Sequence, residues 1–229
     1  MKGYGLAALV IIGFALASPP KLEAQDYRMS VGWNAGVLLT TSLNDGASGT
    51  GEGVDLKPDA TWSLGGHFDK WFGSGLLGGR ASAGLARSVI PWTQGDRSVY
   101  SYRGDLSLML RLMRPDPGNT LIPFVSGGVG LIRWGLGDGP VTSFSAAGAR
   151  YSGDESFQLA ANAGVGFDYV TPFQWGEGPM VVRLEGRDYI QLASPFDPVD
   201  PEAGDFGIIH NLYISIGLHT GVGFLRDGS

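Results

Sequence analysis

The sequence predicts an all-β chain, folded as an eight-stranded antiparallel up-and-down transmembrane β-barrel. Three observations carry that expectation: apolar residues alternate with polar or tiny ones at a period of two, the alternating segments are long, and the links between them are short and long in turn. In the segment YRMSVGWNAGVLLT, one parity holds Tyr27, Met29, Val31, Trp33, Ala35, Val37 and Leu39. The other holds Arg28, Ser30, Gly32, Asn34, Gly36 and Thr40, interrupted only by Leu38. Successive strand residues point to opposite faces, so this segment has one apolar face and one polar or small face.

Three further segments repeat the pattern. Across residues 99–113, Tyr100, Tyr102, Gly104, Leu106, Leu108, Leu110 and Leu112 oppose Ser101, Arg103, Asp105, Ser107, Met109 and Arg111. Across 156–170, Phe157, Leu159, Ala161, Ala163, Val165, Phe167 and Tyr169 oppose Gln158, Ala160, Asn162, Gly164, Gly166 and Asp168. Near the end, Leu212, Ile214, Ile216, Leu218, Val222 and Phe224 oppose Asn211, Ser215, Gly217, Gly221 and Gly223. Weaker alternation over 60–72, 76–90, 121–134 and 180–192 completes a set of eight. Strands of ordinary globular proteins run about 5–6 residues, whereas a strand that crosses a membrane needs about 9–11. The links at 73–75, 114–120 and 171–179 are short, and those at 41–59, 91–98, 135–155 and 193–207 are longer. With eight strands, both termini fall on the short-turn side, which would face the periplasm.

A soluble lipocalin-like barrel also alternates, so the composition of the two faces has to decide. The non-apolar face is built of Gly, Ala, Ser and Asn with Arg and a few acids, which suits the crowded interior of a narrow barrel better than a solvent coat. The opposite face bears aliphatic residues in mid-strand and aromatics near the strand ends, as expected of a surface in lipid. By parity, His67, Asp69, Arg80, Arg103, Asp105, Arg111, Asp168, Arg183, Glu185 and Arg187 are expected in the lumen. Isolated charges there are costly, so they should pair across strands as a plug, with Arg103, Asp105, Arg183 and Glu185 among its members.

Composition narrows the classes further. Glycine supplies 38 of 229 residues without a G-X-Y period, against roughly 7% in average proteins. Gly32, Gly36, Gly164, Gly166, Gly217, Gly221 and Gly223 share the lumen parity, whereas Gly46, Gly49, Gly51 and Gly53 lie in a link. The formal net charge of -6 argues against nucleic acid as a partner. With no cysteine, disulfides, thiolate metal sites and thiol catalysis are excluded. Residues 1–24 read as a secretory signal peptide, with Lys2, an apolar stretch from Leu6 to Ala17, then Pro19 and Pro20 before Ala24. One domain is expected over 25–229.

On these features, and on the glycine-rich stretches PFVSGGVGLI at 123–132, LAANAGVGFDYV at 159–170 and YISIGLHTGVGF at 213–224, the chain resembles the small outer-membrane barrels of the OmpA-like, OmpX and opacity-protein kind. That resemblance implies a bare barrel in the outer membrane, with Phe224 in the place of the aromatic that closes the last strand.

A search for chemistry yields no catalytic, cofactor-binding or metal site. The only histidines are His67, His210 and His219; none lies in an H-x-S arrangement and no G-x-S-x-G elbow exists, so each is expected to stand alone in the lumen or at an interface. GGVG and GVGF lack the spacing of a phosphate loop. The long links are acidic: Asp45, Glu52, Asp55 and Asp59; Asp138, Asp154 and Glu155; and Asp197, Asp200, Glu202 and Asp205. Their spacing matches no calcium loop, so solvated acidic loops are expected. The expected protein is a monomeric, non-enzymatic outer-membrane barrel. Its partners are outer-membrane lipid or lipopolysaccharide and an extracellular partner met through the loops, and its role is envelope integrity or surface recognition. The alternatives are a lipid-modifying barrel enzyme and a secreted soluble barrel for an apolar ligand.

Overall fold

The structure is a computed structural model that describes residues 29–41, 57–90, 97–115, 119–136, 144–146, 149–153, 157–175, 178–191, 196–198 and 208–221. Eight strands close into an antiparallel barrel: β1 (Met29–Thr40), β2 (Thr61–Phe72), β3 (Leu77–Ile90), β4 (Arg97–Arg111), β5 (Leu121–Leu136), β8 (Phe157–Trp175), β9 (Gly178–Gln191) and β11 (Ile209–Gly221). Each pairs with its neighbour in the barrel, and β1 closes on β11 from Ser30↔Gly221 to Thr40↔Asn211. No helix occurs among the described residues.

Three short strands were not legible as alternation. β6 (Phe144–Ala146), β7 (Ala149–Gly153) and β10 (Phe196–Pro198) form a separate sheet in the order β10-β7-β6, tying together two of the long links. The barrel strand β8 also differs in extent from its expected segment. β8 continues to Trp175 through a register shift between Val170 and Gln174, so the link expected at 171–179 is mostly strand. β11 begins at Ile209, just after the link expected at 193–207. The extension of β8 contains Pro172, which lies within the register shift, and pairing resumes at Gln174↔Pro179. The signal segment, the acidic residues of the long links other than Asp59 and Asp197, and Phe224 lie outside the described residues.

The tight turn between β2 and β3 shows why glycine is needed there. Gly73 and Gly75 have φ of 50° and 74°, a left-handed conformation that a side chain disfavours, and the Gly75 N–H donates to the Phe72 carbonyl at 2.9 Å.

Alternation assigns the faces as expected. Trp33 is 70% exposed, Leu159 68% and Leu106 66%, and the outward positions of all eight strands carry such residues in a continuous belt. The inward face, however, is not uniformly polar. Trp71, Met109 and Phe124 pack as a buried cluster at the short-turn end, with Ile122 beside Phe124 on the inward face of β5. Leu38, Val99, Ile132, Trp134 and Ile209 are buried near the long-loop end. The charged middle of the lumen is therefore capped at both ends by apolar side chains.

A continuous apolar outward belt makes a sharp prediction. In phospholipid vesicles, Leu108→Arg on the outward face of β4 should destabilise the folded barrel by about 2–4 kcal/mol, read by denaturant titration. Leu112→Arg, just beyond the strand end, should cost about 1 kcal/mol or less.

Candidate functional site

The lumen is where the sequence concentrates its chemistry. β2 contributes His67 and Asp69, β3 Arg80, β4 Arg103, Asp105 and Arg111, β8 Asp168, and β9 Arg183, Glu185 and Arg187. All ten are buried, as parity requires of inward positions. Glycine makes room for the largest of them: a Cβ on Gly84 would lie 2.6 Å from the Arg103 guanidinium, and one on Gly32 would lie 2.4 Å from the Cβ of His219 and 2.8 Å from the His67 ring.

The charges form one alternating chain across the barrel. Asp168 takes a bidentate pair from Arg183, Nε–Oδ1 at 2.6 Å and Nη2–Oδ2 at 2.8 Å. Arg183 Nη1 then reaches Asp69 Oδ2 at 2.7 Å, and the other side of Asp69 receives Arg80 Nε at 2.7 Å. Arg80 Nη1 donates to both oxygens of Glu185, at 2.9 and 2.8 Å. Glu185 accepts from Arg187 Nη2 at 2.7 Å, and Arg187 Nη1 donates to Asp105 Oδ1 at 2.8 Å. Asp105 is completed by the Tyr189 hydroxyl at 2.8 Å, by Ser107 at 2.9 Å and by Ser82. Bidentate and charge-assisted bonds of this kind are what a guanidinium requires once water is removed.

Asp105, Arg183 and Glu185 thus occupy the expected plug, whereas Arg103 stands outside the ion pairs among the described residues. Arg103 donates to the Ser63 hydroxyl at 2.8 Å and lies 4.0 Å over the Tyr213 ring, so an aromatic face serves where a carboxylate was expected. Arg111 behaves similarly, stacked 3.6 Å over Trp71 with Asp168 at 4.0 Å. The space left between Asn34, His67, Arg80, Arg103, Glu185 and their neighbours is about 10 Å³, room for at most one water.

The histidines do not stand alone. His219 Nε2 lies 3.5 Å from Asp168 Oδ1, and the rings of His67 and His219 meet edge-on at 5.6 Å. Ligand atoms of His67, Asp69 and His219 lie within 4.8 Å of one another, a grouping that nitrogen- and oxygen-binding divalent metals accept. Arg183 Nη1 already stands against two of these groups, 2.7 Å from Asp69 and 3.4 Å from His67 Nε2, so a guanidinium holds the position a cation would take. At the long-loop end, on the outward face, His210 Nδ1 lies 2.6 Å from Asp188 Oδ2, and Asp188 Oδ1 accepts from the Asn211 N–H at 3.1 Å. The nearby Thr41 hydroxyl is engaged with the His210 backbone, accepting from its N–H at 3.0 Å. Among the described residues, no hydroxyl bonds to the His210 ring. Sequence reasoning missed this pair because its two residues come from different strands.

With the closed barrel and its filled lumen in place, comparison with solved structures is direct. The chain is similar to Neisserial surface protein A, with a TM-score of 0.54 at 8% identity, over 85% of this chain and 97% of that one. The fold is that of the small outer-membrane β-barrels. It is also similar to the outer membrane protein OprG from Pseudomonas aeruginosa, with a TM-score of 0.47 at 14% identity, over 88% and 100% of the two chains. The outer membrane enzyme PagL is similar with a TM-score of 0.43 at 14% identity, over 84% and 99%. No family model matches the chain, and no curated protein matches it.

The pairing scheme ranks substitutions. Asp69→Ala leaves Arg80 and Arg183 buried without their shared acid and should cost about 3–5 kcal/mol of unfolding free energy. Arg103→Ala removes an aromatic contact rather than an ion pair and should cost about 2 kcal/mol. Urea titration of the refolded variants in one detergent reads both.

Proposed function

We propose that the protein is an exported outer-membrane barrel with no enzymatic or pore activity, monomeric, which contributes to envelope integrity or recognises an extracellular partner through its long loops. The observation that carries this reading is the pairing of an apolar outer belt with a lumen packed by buried side chains, with about 10 Å³ left beside its ion pairs. A continuous apolar exterior is unsuited to water and suited to hydrocarbon. It also opposes the soluble-barrel alternative, in which the apolar face would turn inward around a ligand. The filled lumen opposes a channel, since an eight-stranded barrel has only enough interior for its own side chains.

On this reading the long loops face the exterior of the cell and the termini face the periplasm. Loops on a rigid scaffold commonly carry recognition, and the acidic composition of these loops favours a basic partner over nucleic acid.

The Asp188–His210 pair favours one other reading, a lipid-modifying enzyme. A carboxylate that holds a histidine in orientation is two parts of a hydrolytic triad, and this one sits at the outer rim where lipid esters would lie. The third part is a hydroxyl on the ring, and Thr41 is turned to the backbone instead.

Two measurements test these statements. Purified protein in a planar bilayer should give no steady conductance; a large steady current in the wild type would contradict the filled lumen. Incubated with lipid A or phospholipid, the protein should release no fatty acid by mass spectrometry. Release that is abolished by His210→Ala would establish the enzyme reading in its place.

A further inference from the structure

Charges on the outward face of a barrel that meets lipid call for an explanation, because hydrocarbon penalises each of them. Among the described residues, the outward positions of the barrel strands carry Lys70, Arg87, Arg133 and Asp188 as charged side chains. Lys70 is near the short-turn end of β2. The other three are near the long-loop end, and they are not mixed. Arg87 and Arg133 lie on β3 and β5, separated by β4, whereas Asp188, with His210, lies on the flank formed by β9 and β11.

The basic flank is built rather than scattered. The Arg87 guanidinium lies 5.8 Å over the Tyr100 ring and donates through Nη2 to the Ser98 hydroxyl at 3.0 Å. A guanidinium has five N–H donors, so one hydroxyl leaves most of them for a ligand. Arg133 lies 5.7 Å over the Phe157 ring and is paired in register with Tyr102. Below them, toward the short-turn end, the outward face is apolar, with Leu85, Leu106, Val129 and Leu131 exposed. Registers Arg87↔Tyr100 and Tyr100↔Gly135 place the two arginines two strands apart. Arg133 is two residues along β5 from Gly135, so two strand spacings and that stagger put the two backbones about 12 Å apart, too wide for one phosphate group and suited to a head group that carries two.

We infer that this flank, formed by Arg87, Tyr100, Tyr102, Arg133 and Phe157 above the apolar surface of β3, β4 and β5, docks a phosphorylated glycolipid of the outer leaflet, its phosphates on the arginines and its acyl chains on the leucines and valine below. The inference rests on the outer-membrane reading and deepens it. Complementarity selects the occupant. Planar guanidiniums recognise phosphate bidentately, ring faces fix their direction, and the anionic head joined to hydrocarbon chains matches basic over apolar. The acidic flank at Asp188 would repel the same head group, so the lipid is held on one side of the barrel.

The test uses the full-length protein in detergent micelles, titrated with bisphosphorylated lipid A and, in parallel, with lipid A from which both phosphates have been removed. Native mass spectrometry reads the bound lipid. The wild type should prefer the phosphorylated form by roughly a hundredfold, about tenfold for each arginine, since a hydrogen bond to a charged group is worth about one such factor. Arg87→Ala with Arg133→Ala should abolish the preference, Arg87→Lys with Arg133→Lys should keep part of it, and Asp188→Asn and Lys70→Ala should leave it intact. Circular dichroism verifies that each variant retains the barrel. Equal binding of the two lipids by the wild type, or a preference that survives the double alanine variant, overturns the inference. Failure of the outer-membrane reading would show differently, as protein that stays soluble and monodisperse without detergent.

Discussion

Closure of β1 on β11 is the constraint from which the rest of the structure follows. Within hydrocarbon, a backbone N–H or C=O without a partner costs several kcal/mol, so a sheet survives there only when it has no edges. The ladder from Ser30↔Gly221 to Thr40↔Asn211 removes the two edges that the other seven pairings would leave. Closure then forces the side chains into two populations: one faces outward, and the other is confined to a cylinder that side chains themselves fill.

The confined population explains the alternating chain of ion pairs. An arginine or carboxylate withdrawn from water is tolerated only when each of its donors or lone pairs finds a partner. In the sequence Asp168, Arg183, Asp69, Arg80, Glu185, Arg187, Asp105 each interior member is gripped from both sides. The apolar caps of Trp71, Met109 and Phe124 at one end, and of Leu38, Val99, Ile132 and Trp134 at the other, keep water away from this chain and strengthen it. The same packing leaves about 10 Å³ beside this chain, room for at most one water, so the charged middle of the lumen serves rigidity.

The number of barrel strands, their cores and the facing of all ten lumen charges were legible in the sequence. On β2, β3, β4 and β8 each charge shares its parity with glycine, serine or asparagine, and on β9 Arg183, Glu185 and Arg187 share one parity with each other; parity alone decides which side of a strand a residue takes. Which charge pairs with which was not legible, because partners such as Arg80 and Glu185 are set by the stagger of distant strands. The apolar caps were missed for a different reason. Trp71 shares its parity with His67 and Asp69, and Phe124 shares its own with Ser126 and Gly128, yet an aromatic on either face leaves the period of two unchanged. The Asp188–His210 pair and the sheet of β6, β7 and β10 depend on contacts between remote segments, for which local alternation has no trace.

The central claim is that one parity of every strand meets lipid and the other fills a dry lumen. Because the chain has no cysteine, spin labels can be placed one at a time without background. Accessibility to oxygen, which partitions into hydrocarbon, should be measured residue by residue along β4 in lipid vesicles. It should be high at labels replacing Leu106, Leu108 and Leu110 and low at those replacing Asp105, Ser107 and Met109, with a period of two. Uniform accessibility along the strand, or a maximum on the Asp105 parity, would contradict the account.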